Sequence, residues 1–597
     1  MSTYAAPLKD MSFVLNELAG LADLAKLPGC EEAAPDTVEA ILQEASRFAS
    51  EVLDPLNYSG DQEGSKLREG AVTTPKGFKD AYRKYVEGGW GALPVSARWG
   101  GQGLPKLVAT PVEEMWCSAN MSFSLCPMLT QGAIHAVELR GSDSLQKIFL
   151  PKMASGEWTG TMNLTESQAG SDLALLRTRA ERNGEHYLIS GQKIFITFGE
   201  HDYTDNIVHL VLARTPDAPE GVKGISLFVV PKFMLNTDGS LGARNGVQCV
   251  SIEHKLGIHA SPTAVMAYEK AVGYLVGEEN RGLETMFIMM NAARFAVGLE
   301  GVSIAERATQ RAVSYARERV QGRDLLEGGK AVPIIRHPDV RRMLMLMKSQ
   351  TEAMRALAYV VAAALDTAAR HPDKAVRQRT QAFVDLLIPV VKGWSTETGI
   401  EVASLGVQVH GGMGFVEETG AAQYYRDARI TTIYEGTTGI QANDLLGRKI
   451  TREAGATVKA LIAELQRFDG ELGKSSNADI QALRKSLAEG AAAIAASVEF
   501  ILGQAGKDPR VAFAGAVPFL KLMGIVCGGW QMARAALISE RKLAADDGDS
   551  AFYSAKIATA RFFGDHVLSQ AGGLRDSIVN GSAAVMALNE DQFLAAS

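Results

Sequence analysis

The chain has 597 residues, 46% of them hydrophobic and 22% charged, with a formal net charge of −7. This is the composition of a globular protein long enough for several domains, and it gives no support to a polyanion-binding surface. The five cysteines (Cys30, Cys117, Cys126, Cys249 and Cys527) include no Cys-x-x-Cys pair, so they read as reduced thiols of a cytoplasmic protein, with no metal cluster.

Residues 1–36 read as an N-terminal extension whose apolar Met11, Phe13, Val14 and Leu18 are spaced to pack on a neighbouring domain or subunit. They show no basic segment followed by an apolar run, so no secretory signal is expected. Pro35-Asp36-Thr37 opens a predicted helix over 38–53, with Ile41, Leu42, Ala45, Phe48 and Ala49 on one face. Helical patterns punctuated by Gly and Pro continue through residues 37–157. The pattern changes at Trp158. Across 158–279, short runs such as NIVHLVLAR and GISLFVV are separated by Gly, Asn, Asp and Pro, which predicts an antiparallel β domain. Residues 280–450 return to long helices, and 451–597 form an additional helical domain. The most apolar stretch of that tract, 511–537, is interrupted by Pro518, Lys521 and Arg534. It is expected to be a buried helix rather than a membrane span.

The segment 429–438, RITTIYEGTT, carries the most chemistry. It places one carboxylate, Glu435, between apolar Ile433 and Tyr434 and the pair Gly436-Thr437. A helical run over 439–449 follows, and a hydroxyl residue before such a run is a helix-start signal. Burial raises the proton affinity of a carboxylate and a helix N-terminus lowers it. A carboxylate held between these effects is a candidate general base. Alone, it reads as a surface Glu in a helix entry turn, and it is the wider context that reverses this reading.

IYEGT, preceded by YYRDARI, resembles the active-site segment of the acyl-CoA dehydrogenases. Four further segments resemble that family in its own order. GTMNLTESQAGSDL (160–173) is similar to its TEPxAGSD segment, and GQKIFITFG (191–199) to its GxKxWITNG segment. The helix 294–322 is similar to the one that carries a substrate-side Arg and a flavin-phosphate Arg. VQVHGGMGF (407–415) is similar to its QxxGGxGF turn. The resemblance implies an α+β chain: an N-terminal helical domain, a middle β domain, a C-terminal helical bundle and an additional C-terminal helical domain. It implies an FAD-dependent α,β-desaturation of an acyl-CoA to a trans-2-enoyl-CoA, with Glu435 as the base and an electron-transfer flavoprotein as acceptor.

Residue by residue, the resemblance puts Met162, Leu164, Thr165, Phe195 and Thr197 along the flavin ring and Ser171 at its pyrophosphate and the substrate. Thr437 joins these cofactor contacts. Arg319, Gln408, Gly411 and Gly412 would serve the nucleotide of a flavin held mainly by another subunit, so a homo-oligomer, dimer or tetramer, is implied. Asn291, Arg294 and Gly436 would face the substrate. Several residues depart from the family pattern. Phe195 stands for Trp, Ser167-Gln168 for Pro-Gly, Gly439 for Gln and Asn291 for Asp.

The length, about half again that of common members, resembles the long-form subfamily. That group includes 3-methylmercaptopropionyl-CoA dehydrogenases and long-form bacterial fatty acyl-CoA dehydrogenases, so the implied substrate is a fatty acyl-CoA or 3-methylthiopropionyl-CoA. Two alternatives stand beside this reading. One is an acyl-CoA oxidase that sends electrons to oxygen. The other is a nucleic-acid-associated flavoprotein, which the tract 451–597 disfavours with its 15 Lys/Arg against 16 Asp/Glu.

Overall fold

A computed structural model describes residues 3–236, 238–326, 328–504 and 506–594; the first two and last three residues, which belong to the expected N-terminal extension and C-terminal tract, lie outside them. The chain divides into two units, one formed by residues 3–6 and 41–296, the other by residues 7–40 and 297–597.

The first unit opens with helices, chief among them α1 (Lys106–Ala119), α2 (Met121–Arg140) and α3 (Asp143–Ala154). Asn120 caps α2 by accepting from the Phe123 N–H, and Ser142 caps α3 by accepting from the Leu145 N–H. A seven-stranded sheet follows: β1 (Trp158–Asn163), β2 (Arg179–Asn183), β3 (His186–Thr197), β4 (Asn206–Ala213), β5 (Ser226–Pro231), β6 (Val247–Ile252) and β7 (Thr263–Leu275). The order is β1-β4-β5-β7-β3-β2, with β6 also on β7. All ladders are antiparallel except β1–β4, which is parallel. The expected antiparallel β domain thus carries one parallel pair. The chain leaves β1, forms the β2–β3 hairpin at the far end of the sheet, and returns beside β1 in the same direction.

Strand β4 is buried along its whole length, and its side chains alternate between two cores. Val208, Leu210 and Leu212 join Phe149 and Trp158, whereas Val211 and Ala213 join Ile189, Phe228 and Tyr268. This period of two is what the NIVHLVLAR run encodes.

The second unit is helical. It holds the later part of α4 (Gly282–Glu318), then α5 (Pro338–Arg370) and α6 (Lys374–His410), which are joined by residues 371–373 alone. After the short α7 (Thr438–Asp444) come α8 (Ala478–Gln504), α9 (Ala516–Ala544) and α10 (Ser550–His566). Helices α4 and α6 touch through glycine. A Cβ at Gly301 would lie 2.3 Å from the Ser395 carbonyl oxygen, and one at Gly298 would lie 2.7 Å from Val391 Cγ1. Helix α9 docks on α6 in the same way: Trp394 lies over Gly524 and Gly528, where Cβ atoms would come within 2.1 and 2.5 Å of its ring system.

The segment 8–18 packs on the C-terminal helices. Phe13 meets Phe552 edge-on at 5.7 Å, and Arg534 donates to the Leu18 carbonyl at 2.9 Å. A buried charge cluster lies beneath. Arg355 bridges Asp10 and Glu306 at 2.6 Å each, and Lys556 pairs with Asp10 and with Glu352. Burial alone pushes the Asp10 carboxyl up, but Lys556 and Arg355 outweigh it and hold that carboxyl well below the usual range.

Among the described residues, three helices are long and apolar enough by length and composition to cross a membrane. For α9 the most apolar window is 78% buried inside the protein. The expected helix over 511–537 is divided: residues 511–514 lie in a short helix, Pro509–Ala514, and the rest from 516 lies in α9.

Candidate active site

Glu435 is half-buried on the loop between the turn Arg429–Thr432 and α7. Its φ is +54°, and that of Gly436 is +89°. Two successive left-handed residues, one of them not glycine, cost energy that the surroundings must offset, about 1–3 kcal/mol for the glutamate. Three groups hold the loop. Lys392, fully buried on α6, donates to the Thr431 and Gly436 carbonyls, both at 2.7 Å. Gln441 on α7 donates to the Glu435 and Gly436 carbonyls, both at 3.2 Å. The Tyr434 hydroxyl donates to Glu300 Oε2 on α4 at 2.5 Å. The Thr437 hydroxyl oxygen caps α7, accepting from the Ile440 N–H at 3.2 Å. Helix α7 thus begins at Thr438, one residue before the expected start, because Thr437 rather than Thr438 is the cap.

Elsewhere in the same unit, Arg319 is exposed one residue past the end of α4, with its N–H on the Tyr315 carbonyl. Gln408 is exposed near the end of α6, and Gly411 terminates that helix with φ +61°. Cβ atoms at Gly411 and Gly412 would meet only open space, which leaves their backbone accessible to a ligand.

The remaining expected residues belong to the first unit. Met162 is buried on β1, Leu164 and Thr165 are half-buried just beyond it, and Ser171 is exposed. Thr197, half-buried, ends β3. Phe195 is 60% exposed with φ +59°. A large aromatic ring held toward solvent by strained backbone points to a ligand face. The Ile194 N–H on the Thr165 carbonyl, 2.9 Å, keeps the β3 edge beside the 164–170 segment. Lys193, fully buried, pins that segment through the Leu164 carbonyl and Glu166 Oε1, both at 2.9 Å. Burial raises the Glu166 carboxyl, but Lys193 and its other hydrogen bonds dominate and bring it down to about 2. Asn291 is exposed on α4, and buried Arg294 donates to its Oδ1 at 3.5 Å.

These residues fit a flavin. In the first unit an exposed aromatic face stands beside half-buried Leu164, Thr165 and Thr197; in the second, two glycines with open backbone follow exposed Gln408, and Arg319 is exposed. Sequence reasoning passed over Glu300, Lys392, Gln441, Glu166 and Lys193. The last two lie inside the recognised LTESQAGSD and GQKIFIT segments and were legible there as an opposite-charge pair. Glu300 and Lys392 read as ordinary helix charges.

The fold is that of the flavin-dependent dehydrogenases of acyl thioesters. Family models match along the chain in order: acyl-CoA dehydrogenase N-terminal domain at 35–157, middle domain at 161–271, C-terminal domain at 280–450, and an acetyl-CoA dehydrogenase C-terminal-like domain at 454–589. The chain belongs to the acyl-CoA dehydrogenase family of FAD-dependent oxidoreductases. It is 53% identical to the 3-methylmercaptopropionyl-CoA dehydrogenase of Ruegeria pomeroyi over 95% of this chain and 96% of that one. It is 34% identical to the broad-specificity linear acyl-CoA dehydrogenase FadE5 of Mycobacterium tuberculosis over 99% of this chain and 100% of that one. A solved acyl-CoA dehydrogenase from Bacillus anthracis, complexed with FAD, shares the fold with a TM-score of 0.74 at 22% identity, covering 95% of this chain and 91% of that one. These relatives are dehydrogenases, and the oxidase alternative is not favoured.

Proposed function

We propose that this chain desaturates 3-methylthiopropionyl-CoA, with Glu435 as the base. The substrate reading is carried by the 53% identity to the Ruegeria pomeroyi enzyme, against 34% for the linear acyl-CoA enzyme at similar coverage. The base reading is supported by the strained, triply anchored loop that presents Glu435.

Glu435 removes the α-proton of the thioester. An unpolarised thioester is too weak an acid for a carboxylate. The backbone N–H of Glu435 would polarise the carbonyl oxygen and lower this barrier. FAD, when bound, would supply the hydride acceptor; loss of H⁺ from the α-carbon and H⁻ from the β-carbon gives the 2-enoyl-CoA. Phe195, Leu164, Thr165 and Thr197 would hold the ring edge. Arg319, Gln408, Gly411 and Gly412 would serve the nucleotide end of a partner subunit's cofactor.

That dimeric arrangement is supported by exposed apolar side chains in the same unit, Phe415 at 89% and Leu326 at 96%. An electron-transfer flavoprotein then takes the electrons. A cytoplasmic location fits the five free, buried cysteines.

The test is Glu435→Gln in FAD-loaded protein. General-base assistance is worth about 10²–10⁴-fold, and the loss should fall in that range. FAD content should stay at the wild-type level. Flavin bleaching by acyl-CoA at near wild-type rate in this variant would end the base reading. A kcat/KM panel covering 3-methylthiopropionyl-, butyryl- and long-chain acyl-CoAs tests the substrate. A preference for the long chain would end that part.

A further inference from the structure

Glu300 is 3% exposed, on the stretch of α4 that touches α6 through Gly298 and Gly301. These contacts fix the helix, so the Glu300 side chain stays beneath the Glu435 loop. Its Oε2 accepts from the Tyr434 hydroxyl at 2.5 Å, and Tyr434 is the residue immediately before Glu435. Its Oε1 is buried and, among the described residues, has no hydrogen-bond partner. Ionisation would leave negative charge on that bare oxygen, which is far more costly than leaving a neutral carboxyl there. The titratable groups that face Glu300 are Tyr434 and Glu435 from the loop and Lys392 from α6.

We propose that Glu300 is a positioning residue for the desaturation: it anchors the Glu435 loop through Tyr434, and its carboxyl is held neutral at neutral pH, so that Glu435 alone carries negative charge there. This rests on Glu435 being the base. Burial pushes the Glu300 carboxyl up to about 8; Tyr434 and Lys392 pull it down, and the Glu435 carboxylate pushes it further up. Below that pH Glu300 is neutral. Above it, a second negative charge stands beside Glu435 and raises its affinity for protons. A more basic Glu435 removes the α-proton faster, so the rate of substrate-driven flavin reduction should step upward through about pH 8.

The experiment is anaerobic stopped-flow reduction of the FAD-loaded protein by 3-methylthiopropionyl-CoA and butyryl-CoA from pH 6 to 9.5. Wild-type protein should show a rise of about threefold with a midpoint near 8, the partial response expected when a neighbouring charge makes the base more basic. Glu300→Gln keeps an acceptor for Tyr434 and cannot ionise, so its profile should be flat across that range. Glu300→Leu should lose at least a further tenfold in limiting rate relative to Gln, with little change in KM. Tyr434→Phe removes a hydrogen bond that favours the ionised carboxyl, so its step should move to higher pH; this arm stands even if the Glu300 variants fold poorly. A flat wild-type profile, the same step in Glu300→Gln, or an unmoved midpoint in Tyr434→Phe would each overturn the proposal. Failure of the base reading shows separately, as persistent reduction in Glu435→Gln.

Discussion

Substituting Gly524 by alanine should loosen the C-terminal helices from the catalytic bundle. The added methyl carbon would lie 2.1 Å from Trp394 Cγ and 2.5 Å from its Cβ and Cδ2. Carbon atoms rest at about 3.5–4.0 Å, so the ring or the helix must shift by more than 1 Å. The ring has no free direction. It is 2% exposed, and Gly528 lies at its other end, where a Cβ would be 2.5 Å from Cη2. Overpacking of this kind typically costs about 1–3 kcal/mol, and a clash this close belongs at or beyond the top of that range. The assay is urea unfolding followed by Trp fluorescence, with FAD retention recorded in parallel. Trp394→Leu alone should also destabilise, by cavity formation. In the double variant the two losses should fall short of their sum by about 1 kcal/mol or more, because the smaller side chain relieves the clash. Gly524→Ala unfolding within about 0.5 kcal/mol of wild type would refute the notch argument, since surface-like sites show changes of that size.

Two other predictions concern charge. Arg355→Met strips a cation from buried Asp10 and half-buried Glu306 and should cost about 3–5 kcal/mol at pH 7. Because Asp10 is held below its ordinary range, its contribution is present above about pH 4 and lost as pH falls below that. Wild-type stability should therefore drop more steeply than that of the variant between pH 5 and 3, and equal slopes in urea titrations would refute the role given to this cluster. Arg319→Ala should lower FAD retention after gel filtration more than it lowers the reduction rate of the flavin-loaded fraction. A monomer with full FAD occupancy by light scattering would contradict the shared-cofactor reading.

Much of this protein was legible in its sequence, for local reasons. The alternation in NIVHLVLAR specifies a two-faced strand, because successive side chains point to opposite sides. The hydroxyl before the 439–449 run marks a helix start, because the first N–H groups of a helix need an acceptor. The Glu435 segment stood out because its neighbours along the chain carry the pattern. What tertiary structure alone decided is non-local. The parallel β1–β4 pairing depends on where the chain returns after the β2–β3 hairpin. Glu300 and Lys392 resemble solvated helix charges until α4, α6 and the Glu435 loop enclose them. Gly524 and Trp394, 130 positions apart, carry no shared signal, and their meaning appears only when α9 lies on α6. A sequence states which groups are available at each position. Burial and partnership, which set the proton affinity of Glu300 and the tolerance of Gly524, depend on which distant segments fill the space around them.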